Sequence, residues 1–145
     1  MIVKPYEPEH LDAAARLWLA SWRSANVTRA AEPQLEALSA RISDEIAGGW
    51  TPYLGWRDGM LVGMLALKPA TSRLDQLFVL PTAQRTGLGA QLLAFAKGQL
   101  VEGMWLRADA DNRNTCGFFE RRGFRLIESG IHPRLGHPTA TYCWP

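Results

Sequence analysis

Residues Leu77 to Gln99 read LFVLPTAQRTGLGAQLLAFAKGQ. The apolar opening ends at Pro81, as a closing strand does. From Leu88 onward the spacing is helical, with Leu88, Leu92, Phe95, Ala96 and Leu100 on one side. Between them lies Gln84-Arg85-Thr86-Gly87-Leu88-Gly89. Glycine admits backbone conformations closed to other residues and puts no Cβ in a neighbour's way. A helix N-terminus offers unpaired N–H groups and the positive end of the helix dipole. A strand that enters a helix through glycines therefore suits an anion, with phosphate or pyrophosphate the natural guest. The loop alone leaves a plain tight turn equally open. GxxxxGK[ST] is absent, and so is GxGxxG with an acidic residue about 20 positions on, which argues against an ATPase or a Rossmann dinucleotide site.

Outward from this stretch, Leu11, Ala15, Trp18 and Trp22 mark a helix over 10–24, and Leu35, Leu38, Ile42 and Ile46 mark another over 34–47. Pro33 is expected at its first position, and Gly48-Gly49 end it. Arg57-Asp58-Gly59 separates two apolar runs, which predicts a hairpin with strands at 51–57 and 60–68. A strand over 72–80 leads into the glycine loop. MWLRADA (104–110) reads as a strand, Asp111-Asn112 as the cap of a helix through Arg122, and Gly123 as its terminator. FRLIESG and TATYCW close the chain as strands, after a first strand at Met1 to Tyr6. The order β-α-α-β-β-β-α-β-α-β-β implies a mixed α+β fold, one sheet with helices on both faces.

The 145 residues suit one domain spanning 1–145, and 47% hydrophobic with 21% charged residues is ordinary globular composition. A net charge of +2 is too small to argue for nucleic acid or an anionic membrane. No apolar run approaches the ~20 residues of a membrane span, and no signal-peptide core precedes the first strand, so a cytoplasmic location is expected. Cys116 and Cys143 lack CxxC spacing and fit a reducing compartment. His10, His132 and His137 lack metal-ligand spacing, so no metal is expected.

Gln84-x-x-Gly87-x-Gly89 after a strand resembles the central signature of the GCN5-related N-acetyltransferases, (Gln/Arg)-x-x-Gly-x-(Gly/Ala). Their second region, Asn-x-x-Ala-x-x-Phe-Tyr-Glu-Lys-x-Gly-Phe, stands here as Asn112-Arg113-Asn114-Thr115-Cys116-Gly117-Phe118-Phe119-Glu120-Arg121-Arg122-Gly123-Phe124. The element order matches as well, so the resemblance covers essentially the whole chain. It implies acetyl-CoA as donor and the primary amine of a small molecule or peptide as acceptor, joined by direct attack. The amides of Arg85, Thr86, Gly87, Leu88, Gly89 and Ala90 would hold the pyrophosphate, with Arg85 adding charge. The backbone of Phe78, Val79 and Leu80 would pair with pantetheine like an added strand, in a gap between the fourth and fifth strands. Gln84, Phe118 and Phe119 belong to the same cofactor site by resemblance, as does Asn112, whose other reading is a helix cap. Gly117 in mid-helix costs about 1 kcal/mol against alanine, which either cofactor approach or tight helix–sheet packing would justify.

For the chemistry, the resemblance makes the backbone N–H of Val79 or a neighbour the expected carbonyl-polarising group. Phe119 stands where the family carries its usual general acid, a tyrosine. Tyr142, Cys116 or Tyr53 could replace it, or water could protonate the thiolate. The base is equally open. The glutamate of many relatives falls near Arg73, where Asp75 is the nearest carboxylate, either a base or a structural, hydrogen-bonded residue. Strand alternation puts it with Leu77 and Val79, opposite Gln76 and Phe78. Trp22, Tyr53 and Gln76 are candidate walls of the acceptor pocket, while Trp18 reads as core. Phe119 also motivates a second reading, a non-catalytic acyl-CoA-binding module. Homodimers are frequent in the family, which implies a second copy as partner.

Overall fold

The computed structural model describes residues 1–24 and 31–145. Strand β1 (Ile2–Pro5) is followed by α1 (Leu11–Ser24), α2 (Leu35–Ala47), β2 (Thr51–Arg57), β3 (Met60–Lys68) and β4 (Arg73–Val79). Then come α3 (Leu88–Gln99), β5 (Met104–Asp109), α4 (Arg113–Glu120), β6 (Arg125–Ile131) and β7 (Pro138–Trp144). This is the order that the periodicities predict, in a mixed α+β fold. Pro33 differs: Gln34 is the N-cap of α2, so the proline precedes the helix rather than starting it. The hairpin turn is formed by Asp58 at φ 52° and Gly59 at φ 78°, the left-handed pair that a two-residue turn requires.

The seven strands form one sheet in the order β1-β2-β3-β4-β5-β7-β6. Every neighbouring pair is antiparallel except β4 and β5. Those two are parallel and pair only at Arg73 with Trp105, near their starts. The Trp105 amide donates to Ser72 O at 3.0 Å. Beyond that point the strands part, leaving a gap that opens toward Val79 and Asp109.

Two cores flank the sheet. Ala14, Ala15, Leu17 and Trp18 of α1 join Leu38 and Ile42 of α2 over Leu54, Met64 and Ala66. On the other face, Leu88, Leu92, Leu93 and Ala96 of α3 join Cys116 and Phe119 of α4. Leu92 is fully buried, worth about 2 kcal/mol of apolar transfer. Gly63 makes room for it, since a Cβ there would lie 2.8 Å from a Leu92 methyl.

Strand β4 does not alternate throughout. Ala66 pairs with Gln76 but Leu67 pairs with Leu74, so Asp75 is the extra residue of a bulge. Leu74 and Leu77, three apart, therefore both reach the α3–α4 core. Asp75 turns the other way and accepts a 2.6 Å bond from Trp50 Nε1, a member of the α1–α2 core. The face expected for Asp75 from simple alternation is thus reversed.

Candidate functional site

The glycine loop is drawn together by its own side chains. Gln84 Nε2 donates to Val79 O at 3.2 Å, and Thr86 Oγ1 donates to Ala83 O. Arg85 and Gly87 both take left-handed backbone, φ 64° and 83°. The glycine does so freely, whereas a non-glycine residue there costs about 1–2 kcal/mol. The first backbone bond of α3 runs from Gln91 N to Gly87 O at 3.1 Å. The amides of Gly87, Leu88, Gly89 and Ala90 precede it and lack intrahelical acceptors. Among the described residues, no acceptor is found for the amides of Arg85 or Thr86 either.

The backbone of β4 is divided between its two neighbours. Leu80 N donates to Val62 O at 2.8 Å. With Gly63 opposite Val79 and Met64 opposite Phe78, antiparallel alternation ties Phe78 and Leu80 to β3 and turns Leu77 and Val79 toward the gap. The Val79 carbonyl already accepts from Gln84, so its N–H is the free donor there.

A cavity of about 590 Å³ joins the loop, the end of β4 and the near side of α4. Of the residues that the sequence nominates, Phe78, Val79, Gln84, Arg85, Gly87 and Gly89 line it. So do Ala90, Asn112, Phe118 and Phe119. Asn112 is the N-cap of α4, its Oδ1 accepting from Thr115 N at 3.1 Å. Gly89 lets α4 approach: a Cβ there would meet the Phe118 ring at 3.4 Å. The lining holds three arginines, Arg85, Arg121 and Arg122, and no carboxylate among the described residues. Such a surface favours a polyanion.

Leu80, Thr86 and Leu88 do not line the cavity, and Leu88 is buried beneath it. Asp75 is also outside; beside its bond to Trp50 it lies 3.2 Å from Arg73 Nε and 3.7 Å from Lys68 Nζ. Tyr142 is buried within the α3–α4 core, its hydroxyl donating to Glu120 Oε2 at 3.3 Å. Burial, then the neighbouring Cys116 and Glu120, push this phenol far above its ordinary value. Tyr53 packs edge-on against Phe95 of α3 at 4.8 Å, on the face opposite α1 and α2. Trp22 and Gln76 are half-buried beyond the lining. Gly117 also lies outside it, and a Cβ there would meet the Arg121 guanidinium at 2.9 Å rather than the sheet. Trp18, read as core, is buried and stacks on Phe78 at 5.3 Å.

Sequence reasoning passed over Ser21 and Ser24 of α1, Asn114, Thr115, Arg121 and Arg122. The arginines had a faint signal in the glycine one turn before Arg121. A second depression of about 740 Å³ beside β1, lined by Lys4, His10 and Trp56 among others, shares no residue with this cavity. Among the described residues, no helix is long and apolar enough to cross a membrane, and no group of three metal-ligating side chains occurs.

Comparison with known proteins bears on the whole arrangement. Residues 9–124 match the model of the acetyltransferase (GNAT) family. Mycothiol acetyltransferase of Streptomyces coelicolor is 34% identical over 126 residues, covering 77% of this chain and 41% of that protein. This chain thus spans less than half the length of that relative. An acetyltransferase from Thermus thermophilus superposes with a TM-score of 0.82 at 21% identity, over 100% of this chain and 97% of its own. An aminoglycoside 6′-N-acetyltransferase complexed with coenzyme A gives a TM-score of 0.73 at 11% identity, over 99% and 96%. At such identities these structures speak for the fold, and the family match carries the rest. With residues 9–124 accounted for by that model and the same fold running from end to end, this chain belongs to the acetyltransferase (GNAT) family.

Proposed function

We propose that this chain is an N-acetyltransferase that moves the acetyl group of acetyl-CoA to a primary amine of a small molecule or peptide. One observation carries the reading. The open amides of the α3 N-terminus, the arginine-lined cavity and the gap beside Val79 are continuous, and together they match a diphosphate followed by an extended amide chain. Acetyl-CoA, when bound, supplies the thioester. The loop amides and Arg85 hold its diphosphate, and the outward groups of Leu77 and Val79 pair with the pantetheine. The Val79 N–H polarises the thioester carbonyl.

The amine nitrogen attacks that carbonyl, the C–S bond breaks and the thiolate leaves. Phe119 cannot protonate it, and Tyr142 and Asp75 are held elsewhere. The surplus proton of the attacking nitrogen passes to water, and a thiol of pKa near 8.5 is a good enough leaving group to take its own proton back from water. The amine enters as its free base, a small fraction at neutral pH for an ordinary pKa near 10.4. The front of the β4–β5 gap, beneath α1 and α2, is its route.

The names of the relatives, mycothiol and aminoglycoside acetyltransferases, define the first acceptors to try. Thiol release from acetyl-CoA is measured across a panel of such amines, with a peptide N-terminus and lysine added. Turnover on at least one acceptor is expected. Phe119 supports the second reading, an acyl-CoA-binding module; saturable CoA binding with no thiol release on any amine would favour it.

A further inference from the structure

Arg121, the C-cap of α4, and Arg122 just after it line a cavity whose glycine loop already supplies donors for one diphosphate. We infer that Arg121 and Arg122 clamp the 3′-phosphate of the donor, so that this chain distinguishes CoA from 3′-dephospho-CoA. The inference rests on the CoA reading above and adds a specificity to it. CoA carries two separate anionic groups, a diphosphate and a ribose 3′-phosphomonoester. The amides of Arg85 to Ala90 and the Arg85 guanidinium suffice for the first. Arg121 and Arg122 face it from the α4 wall, and neither is paired with a carboxylate among the described residues.

Arg122 is half-buried and held back along the helix, whereas Arg121 is exposed and lies over it. Arg122 Nη1 donates to Phe118 O at 2.9 Å, and its guanidinium lies 4.0 Å from the centroid of the Phe118 ring. Arg121 folds over Gly117, with Nη1 2.9 Å from where a Cβ would stand. Glycine in mid-helix costs stability, and what occupies the vacated space here is a guanidinium at the cavity's edge. Two guanidiniums on one wall match the flat, multidentate demand of a phosphomonoester, and the order that Arg122 already has lowers the cost of binding. A merely structural pair would cover Phe118 and cap α4, with no preference between the two ligands.

Calorimetric affinities for CoA and 3′-dephospho-CoA separate these cases. The wild-type chain should prefer CoA by about tenfold or more, the worth of one or two charge-assisted hydrogen bonds. Arg121→Ala and Arg122→Ala should each bring the preference to within about threefold by weakening CoA alone. Arg57→Ala, which removes the same charge at the hairpin turn, should leave the preference as it was. Gly117→Ala adds an independent arm: it should melt no lower than wild type, yet displace Arg121 and lose most of the preference. Equal wild-type affinities, or arginine variants that weaken both ligands alike, would overturn the clamp. Failure of the wild-type chain to bind either ligand would instead overturn the CoA reading beneath it.

Discussion

The wall formed by the glycine loop and α4 is made largely of backbone, whereas the sheet face beneath α1 and α2 is made of side chains. On the first, glycines, a cap and a helix terminus set the chemistry. On the second, Asp75 meets Trp50 and Phe78 meets Trp18 only because distant elements pack there. A backbone site is more sensitive to a change of glycine than to most changes of side chain. A side-chain site shows the reverse. Four substitutions put this contrast to the test.

Gly89→Leu should have the largest effect. Its side chain would press on Phe118 and Val79, whose nearest atoms already stand 3.4 Å and 3.8 Å from a Cβ. CoA affinity should fall about a hundredfold or more, while unfolding free energy drops by no more than about 1–2 kcal/mol. Denaturant unfolding and CoA titration on one preparation give both numbers. A folded variant with unchanged affinity would move the site away from the loop.

Asp75→Asn probes the other face. A general base removed this way costs about 10²- to 10⁴-fold in rate. A carboxylate held by Trp50, Arg73 and Lys68, with 12% of its side chain exposed, should instead cost about 1–2 kcal/mol of stability. We expect kcat/KM within threefold of wild type and a lower unfolding midpoint; a thousandfold loss of rate at unchanged stability would restore Asp75 to the chemistry.

Those two sites also show why one region is legible in the sequence and the other is not. The turn at Asp58-Gly59, the glycine loop and the Asn112 cap obey rules written within a few residues of chain, so spacing alone finds them. The face of Asp75 depends on a bulge opposite β3, and pairing between strands is not local information. Tyr142 joins Glu120 and Cys116 because β7 inserts between β5 and β6, an ordering visible only once the sheet is assembled. Arg121 and Arg122 were readable as residues but not as cavity walls, because exposed arginines are common and the meaning of Gly117 depends on what fills its space.

Tyr142→Phe should act only at high pH. The native phenol is held protonated by burial, and its ionisation lies well above the unfolded value near 10. Its contribution is therefore fully present below pH 10 and is lost as pH rises from there toward the native value. Wild-type unfolding free energy should decline above pH 10 by up to about 1.4 kcal/mol per unit from this group. The variant should show a correspondingly shallower decline, with turnover at neutral pH within threefold. Parallel alkaline curves for the two proteins would mean that Tyr142 is not buried as described.

Phe119→Tyr should change least and bears most directly on how the thiolate departs. The ring is 6% exposed, edge-on to Phe118 and Phe124 at 5.1 Å and 5.2 Å, yet it reaches the cavity lining. A new hydroxyl would either emerge into that cavity and stay hydrated, or point into the core and cost about 1–3 kcal/mol without a partner. Stability distinguishes the two, so the rate can be read only from a variant that unfolds like wild type. If water protonates the departing thiolate, a correctly placed hydroxyl adds little and turnover should stay within threefold. A gain of about a hundredfold would mean that the site is built around an acid it lacks. The contrast between the two regions would then fail at its centre, because one side chain on the backbone-built wall would govern the chemical step.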